Sequence, residues 1–169
     1  VSVMVMTPLH MNHGGADLEV IGFVISIHIL GMFAFSPLTG LAVDRFGGRA
    51  VAVLGSVVLS TAALLASASP EGESLTLVAG LFLLGLGWSC TLVAGSTLLT
   101  GAVPVQERPG AQGASDLLMG LMAGAGGALA GVVVDRGSFE LLALGALAVA
   151  VTIGLAAALS SARPGPALS

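Results

Sequence analysis

The sequence predicts an all-α fold embedded in a lipid bilayer, and its composition and charge distribution are the basis for this prediction. Of the 169 residues, 56% are hydrophobic and 8% are charged, and the mean hydropathy is +1.05. Ordinary soluble domains carry about 25% charged residues. The few charges form short clusters, and the uncharged stretches between them reach the roughly 20 apolar residues that a membrane-spanning helix needs. A water-soluble domain of this length could not cover so much apolar surface.

Five such stretches predict complete transmembrane helices. The runs 20–43 and 50–69 contain no formal charge at all. The run from Leu75 is longer than one span needs, and Gly101 and Pro104 favour an end just before them. The predicted spans are 20–43, 50–69, 75–100, 113–134 and 141–162, followed by a short tail over 163–169.

The first stretch, 1–11, is apolar but covers only about half of the bilayer thickness. It therefore predicts a partial helix, entered midway. No lysine or arginine precedes Arg45, whereas a secretory signal begins with a positively charged segment. We therefore expect the sequence to start inside a longer chain.

The arginines predict the orientation, because cytoplasmic connections are enriched in basic residues. If the C-terminus is cytoplasmic, the inner connections hold most of the arginines and the outer ones hold only Arg136. The arginines on the inner side are Arg45, Arg49, Arg108 and Arg163. The sequence therefore predicts a multi-pass protein of the cell membrane with its C-terminus in the cytoplasm.

The stretch Gly40-Leu-Ala-Val-Asp44-Arg45-Phe-Gly47-Gly48-Arg49 follows the first complete span. It resembles the GxxxDRxGxR signature of the major facilitator superfamily, a family of secondary transporters. In that family the signature lies in the cytoplasmic connection between the second and third helices of a half. It falls at the same place here if 1–11 is the first helix. The matching positions, which we interpret as a conformational-switch motif, are Gly40, Asp44, Arg45, Gly47 and Arg49.

The resemblance implies the C-terminal half of such a transporter, from a partial helix seven to helix twelve. Family members consist of two six-helix halves that rock about a substrate site at the membrane midplane. The implied partners are membrane lipid, the missing N-terminal half (in cis or as a second chain) and a small-molecule substrate. Export of a small molecule or drug, driven by an ion gradient, is the function we expect, and no cofactor or nucleic acid is implied.

Four side chains are candidates for the translocation path or for ion coupling, namely Asp116, His28, Trp88 and Gln112. Asp116 is the one acid within the predicted spans, and intramembrane acids usually face a bundle interior or a water path. The alternative is an acid of the first helical turn, since Gln112 to Asp116 could open the helix. His28 lies mid-span and could bind substrate, relay a proton or only pack. Trp88 could offer an aromatic platform or pack in the core.

Two further patterns favour structural interpretations. The run from His10 to His13 offers two imidazoles and a thioether, but no acid or thiolate cluster supports them, so no metal site is predicted. Two pairs of glycines at four-residue spacing lie in 113–134, which predicts close helix packing within the half and is compatible with a sliding surface. They are Gly120, Gly124, Gly127 and Gly131.

Other functional classes find less support. No HExxH motif occurs, and His28 precedes every plausible serine motif, so an intramembrane enzyme is not expected. The chain has no lysine and hence no glycine-rich phosphate loop ending in Lys-Ser/Thr. A structural or oligomerising membrane module, or a fragment that does not transport, remains the alternative. The motif from Gly40 to Arg49 is what argues against these alternatives.

Overall fold

A computed structural model describes residues 1–72 and 74–159 of the chain. Within these residues it contains α-helices and one short 3-10 helix, Val105–Glu107, and no β-strand. The helices are α1 Ser2–His13, α2 Leu18–Phe33, α3 Ser36–Phe46, α4 Gly48–Ser67, α5 Leu75–Ala102, α6 Arg108–Arg136 and α7 Phe139–Leu159. The all-α prediction is confirmed. The predicted tail, 163–169, and the end of the last predicted span lie outside the described residues.

Five stretches of the described chain are long and apolar enough to cross a membrane. They are Leu18–Phe46, Gly48–Ser67, Leu75–Ala102, Val105–Arg136 and Phe139–Leu159. Helix α1 has 12 residues, about 18 Å at 1.5 Å per residue, against a hydrocarbon core of about 30 Å. The protein is therefore a multi-pass membrane protein with one additional partial helix. The residue limits given to each span from the sequence stay predictions.

The first complete span is interrupted, which the uncharged run did not reveal. Helix α2 ends at Phe33 and α3 begins at Ser36. Pro37 has no N–H to offer the carbonyl of Phe33, so the ladder of helical hydrogen bonds is broken there. The hydroxyl of Ser36 donates to the carbonyl of Met32 at 3.0 Å and satisfies a neighbouring acceptor. The span is thus interrupted without exposing all of its polar backbone groups to lipid.

Glycines allow the helices around α5 to approach closely. Where α2 crosses α5, a Cβ at Gly31 would lie 2.5 Å from the carbonyl oxygen of Phe82. Where α4 crosses α5, a Cβ at Gly55 would lie 2.8 Å from the Cβ of Cys90. Because lipid tails are as apolar as leucine, close packing rather than hydrophobicity drives such contacts. These crossings bring α2 and α4 into close contact with α5.

Helix α6 is different, because Ala130 is its one buried residue. A Cβ added at any of its four regularly spaced glycines would meet nothing within 4 Å. The expectation that these glycines pack within the half is therefore wrong. At 3.6 residues per turn the four lie within an arc of about 60°. We call this arc, Gly120, Gly124, Gly127 and Gly131, the open glycine face.

Candidate functional site

The 40–49 motif forms a corner between two helices. Helix α3 ends at Phe46, α4 begins at Gly48, and Gly47 alone connects them with φ +84° and ψ 149°. That φ lies in the region that L side chains rarely adopt, so glycine is required at position 47. A Cβ at Gly48 would lie 3.0 Å from Cγ of Leu98 on α5. Gly47 therefore allows the turn, and Gly48 allows the turn to pack against α5.

Arg49 joins this corner to the far end of the chain. Its Nε donates to the carbonyl of Ala157 at 2.8 Å, and its Nη2 donates to the carbonyl of Ala158. Both acceptors are backbone carbonyls in the last turn of α7, Phe139–Leu159, that the structure describes. A carbonyl oxygen has two lone pairs, so the guanidinium can bond to it from outside the helix. We call this pair of hydrogen bonds the Arg49 cap. Nothing local in the sequence could have indicated this contact between residues more than 100 positions apart.

The other two charges of the motif do not take part in this cap. Asp44 and Arg45 are both exposed. The Cζ atom of Arg45 lies 5.7 Å from the centroid of the neighbouring Phe46 ring. Gly40, one turn before Asp44, has open space where its Cβ would be. The N-terminal part of the motif is therefore presented outward, while Gly48 and Arg49 face the bundle.

Removing the cap should destabilise the bundle. We expect Arg49→Ala to lower the free energy of unfolding by roughly 1.5–3 kcal/mol, the range for hydrogen bonds that involve a charged group. Arg45→Ala is the matched control, because it removes the same charge from an exposed side chain that lies only over its neighbour's ring. The measurement is the loss of helical circular dichroism on titration from mild detergent into SDS. Equal midpoints for the two variants would show that the cap contributes nothing.

Two of the predicted path residues meet in a cavity of about 560 Å³. His28, Trp88 and side chains from α1, α2, α4, α5 and α7 line it. Nδ1 of His28 lies 2.8 Å from the carbonyl oxygen of Leu81. The rings of Phe33 and Trp88 meet edge to face, with centroids 6.0 Å apart and planes at 66°. The cavity is thus mostly apolar, with an imidazole and an indole on its wall.

The other two predicted path residues lie elsewhere, on α6. The amide Nε2 of Gln112 donates to Oδ1 of Asp116 at 2.9 Å, and Asp116 is exposed. Helix α6 begins at Arg108, so Asp116 lies more than two turns inside it. The alternative interpretation, an acid of the first helical turn, is therefore wrong. The structure groups the four candidates as two separate pairs.

The histidines of α1 contribute to a second, more polar cavity of about 390 Å³ at the end of the bundle. The ring of His10 stacks on Phe139, with centroids 4.1 Å apart and planes at 15°. Its Nε2 lies 3.5 Å from Oγ of Ser69. Over the residues described, no three histidine, cysteine or acidic side chains converge as metal ligands would. His10 instead holds α1 against the start of α7.

Comparison with known proteins gives consistent matches. The sequence profile of the Major Facilitator Superfamily matches residues 1–169. The chain is 40% identical to an uncharacterized MFS-type transporter, YddS, of Bacillus subtilis (strain 168). The match extends over 143 residues, which is 85% of this chain and 33% of YddS. Over 144 residues, again 85% of the chain, it is 40% identical to YdeG of the same organism, covering 34% of it.

The name of a third relative includes its substrate. The chain is 31% identical over 117 residues to the riboflavin transporter RfnT of Brucella anthropi, which is 69% of this chain and 29% of RfnT. The chain therefore spans about a third of the length of the curated relatives it matches. No solved structure matches it.

Proposed function

The chain belongs to the major facilitator superfamily, and we propose that it forms the C-terminal half of a secondary active transporter working by alternating access. The observation that carries the proposal is the open glycine face of α6. Glycines at the crossings of α2, α4 and α5 have close neighbours on another helix, whereas the four of this face have none. In a bilayer, small residues of this spacing serve close approach of two helices. We infer that a second half packs here.

The polar pair beside this face supports the same placement. At about 100° per residue, Asp116 lies about 20° from the edge of the open glycine face. An acid held in lipid costs roughly 2.5–3.5 kcal/mol, so its side chain needs protein or water beside it. Several large apolar side chains of α6, including Leu118, Met122 and Leu129, lie on the opposite side and are exposed. We propose that this opposite side faces lipid and that Asp116, held by its hydrogen bond from Gln112, lies at the edge of the second half, with the two as candidate coupling groups.

The outward part of the 40–49 motif fits the same arrangement. Gly40 has open space at its Cβ and Asp44 is exposed, so neither is used within this half. We propose that a helix end of the second half meets Asp44, because a helix N-terminus favours negative charge. Arg49 meanwhile holds the corner on α7. The motif would then link the two halves in one conformation and release them in the other.

The substrate is proposed to be a small molecule, exported at the expense of an ion gradient. Because RfnT is named a riboflavin transporter, riboflavin is the first compound to test. The arginine distribution supports insertion in the cell membrane with the C-terminus in the cytoplasm.

Asp44→Asn tests this function in a chimaera in which the chain replaces the matching stretch of RfnT. We expect riboflavin transport in vesicles to fall at least tenfold at matched protein level, because the contact that stabilises one conformation is lost. Glu19→Gln, which changes an exposed acid in the first turn of α2, is the control and should transport as the unmodified chimaera does. Unchanged transport by the Asp44 variant would remove the motif from the mechanism.

A further inference from the structure

The cavity that holds His28 and Trp88 has the features of a ligand site formed by the helices of this half and open on the side of the exposed Phe33 and Val149. We propose that it binds a planar aromatic small molecule that carries one hydrogen-bond donor. Its volume of about 560 Å³ lies within the range of roughly 300–1,000 Å³ typical of small-molecule pockets. The wall is mostly aliphatic, with side chains such as Leu59, Leu84 and Ile153. A ligand that fits must therefore be largely apolar.

The aromatic wall selects for a flat ring. Trp88 and Phe33 both line the cavity, and their edge-to-face contact fixes the indole plane. Aromatic rings prefer offset-stacked or edge-to-face partners at centroid separations of about 4.5–7 Å. A planar ligand can stack on the indole, whereas a branched aliphatic molecule of equal volume gains no such contact.

His28 supplies a single, oriented acceptor. The carbonyl of Leu81 can only accept, so the proton of the 2.8 Å contact resides on Nδ1 of His28. In the neutral imidazole the other nitrogen, Nε2, is then an acceptor. No side-chain nitrogen or oxygen in the described chain is both buried and unpartnered. Nε2 has no hydrogen-bond partner among the described residues and is therefore not buried, and His28 lines the cavity, so we infer that an O–H or N–H of the ligand can reach Nε2 there.

The remaining hydroxyl on the wall is already occupied. Ser2 lines the cavity, but its Oγ donates to the carbonyl of Gly126 on α6 at 3.0 Å. The position of His28 is also fixed, because α2 and α5 cross in close contact next to it, at Gly31 and Gly85. The site is thus preformed. Because helices of this chain supply its wall, binding does not require a second half and is independent of the proposed transport.

Trp88 is itself the reporter for a test, since the chain has one tryptophan and no tyrosine. The chain is placed in lipid nanodiscs and its fluorescence is followed on addition of 2-naphthol, which donates an O–H, or of 2-methoxynaphthalene, which does not. We expect saturable quenching by both. We further expect His28→Ala to weaken the binding of 2-naphthol about tenfold, which corresponds to the loss of one hydrogen bond. The binding of 2-methoxynaphthalene should be unchanged.

A matched pair of substitutions on α7 separates binding from partition into lipid. Val149 lines the cavity and Val151, two residues on, does not. Val149→Phe should reduce saturable quenching by both probes at least fivefold, whereas Val151→Phe should not change it. Quenching that rises without saturation, or that is equal in these two variants, overturns the proposal. If His28→Ala loses its helical circular dichroism, the comparison of Val149→Phe with Val151→Phe tests the proposal by itself.

Discussion

Gly85→Leu is expected to prevent the chain from reaching its folded state. A Cβ at position 85 would overlap the carbonyl oxygen of His28 and lie 3.0 Å from the backbone nitrogen of Met32. Both obstacles are backbone atoms, which cannot rotate away as a flexible side chain can, so α2 and α5 must separate. Extra methylenes in a packed core cost about 1–3 kcal/mol, and we expect the loss here to exceed about 3 kcal/mol. The measurement is the SDS unfolding midpoint in detergent.

Gly95→Leu is the matched control for this prediction. It introduces the same side chain on the same helix, but a Cβ at Gly95 meets nothing within 4 Å. Its midpoint should lie close to that of the unmodified chain, with a small gain because leucine is a better helix former than glycine. Equal midpoints for the two leucine variants would contradict the close crossing of α2 and α5.

Gly124→Leu should show the reverse pattern, with no effect in the chain alone and a large effect once a second half is present. A Cβ at Gly124 has open space within this half, so folding of the isolated chain should be unchanged. In the chimaera with RfnT, a leucine on the open glycine face would hold the two halves apart. We expect riboflavin transport to fall at least tenfold.

Ala125→Leu is the control for Gly124→Leu. Its position is rotated by about 100° from Gly124, among the exposed apolar side chains of α6. Full transport is expected for this variant. Loss of transport in both variants would mean that crowding anywhere on α6 is harmful, and the open glycine face would have no special role.

The sequence was informative about which segments span the membrane and much less about how they face one another. Charge-free runs locate spans because burying a charge in lipid is costly, and that rule is independent of packing. The break before Pro37 had a visible signal, the proline itself, but an uncharged run does not indicate an interruption. The glycines of α6 had the spacing of a packed face, yet spacing does not identify the helix that packs against them.

The candidate site, too, was only partly predictable from the sequence. The mid-span positions of His28 and Trp88 could be counted along the sequence, but helix rotation, which brings both to one cavity, could not. The cap of Arg49 on α7 joins two distant segments and leaves no local pattern. The start of α6 at Arg108 lay before the predicted span, because helices can extend beyond the hydrocarbon core with polar residues. That extension changed the interpretation of Asp116.

Oxygen accessibility of a spin label at position 124 tests the central proposal most directly. The label is attached to Gly124→Cys, with Cys90 replaced by alanine and a second label position at Ala125→Cys for comparison. In nanodiscs, both positions of the isolated chain should be accessible to oxygen dissolved in the lipid. When the chain replaces the matching stretch of YddS, accessibility should fall severalfold at position 124 and stay high at position 125. Unchanged accessibility at position 124 would contradict the packing of a second half on the open glycine face.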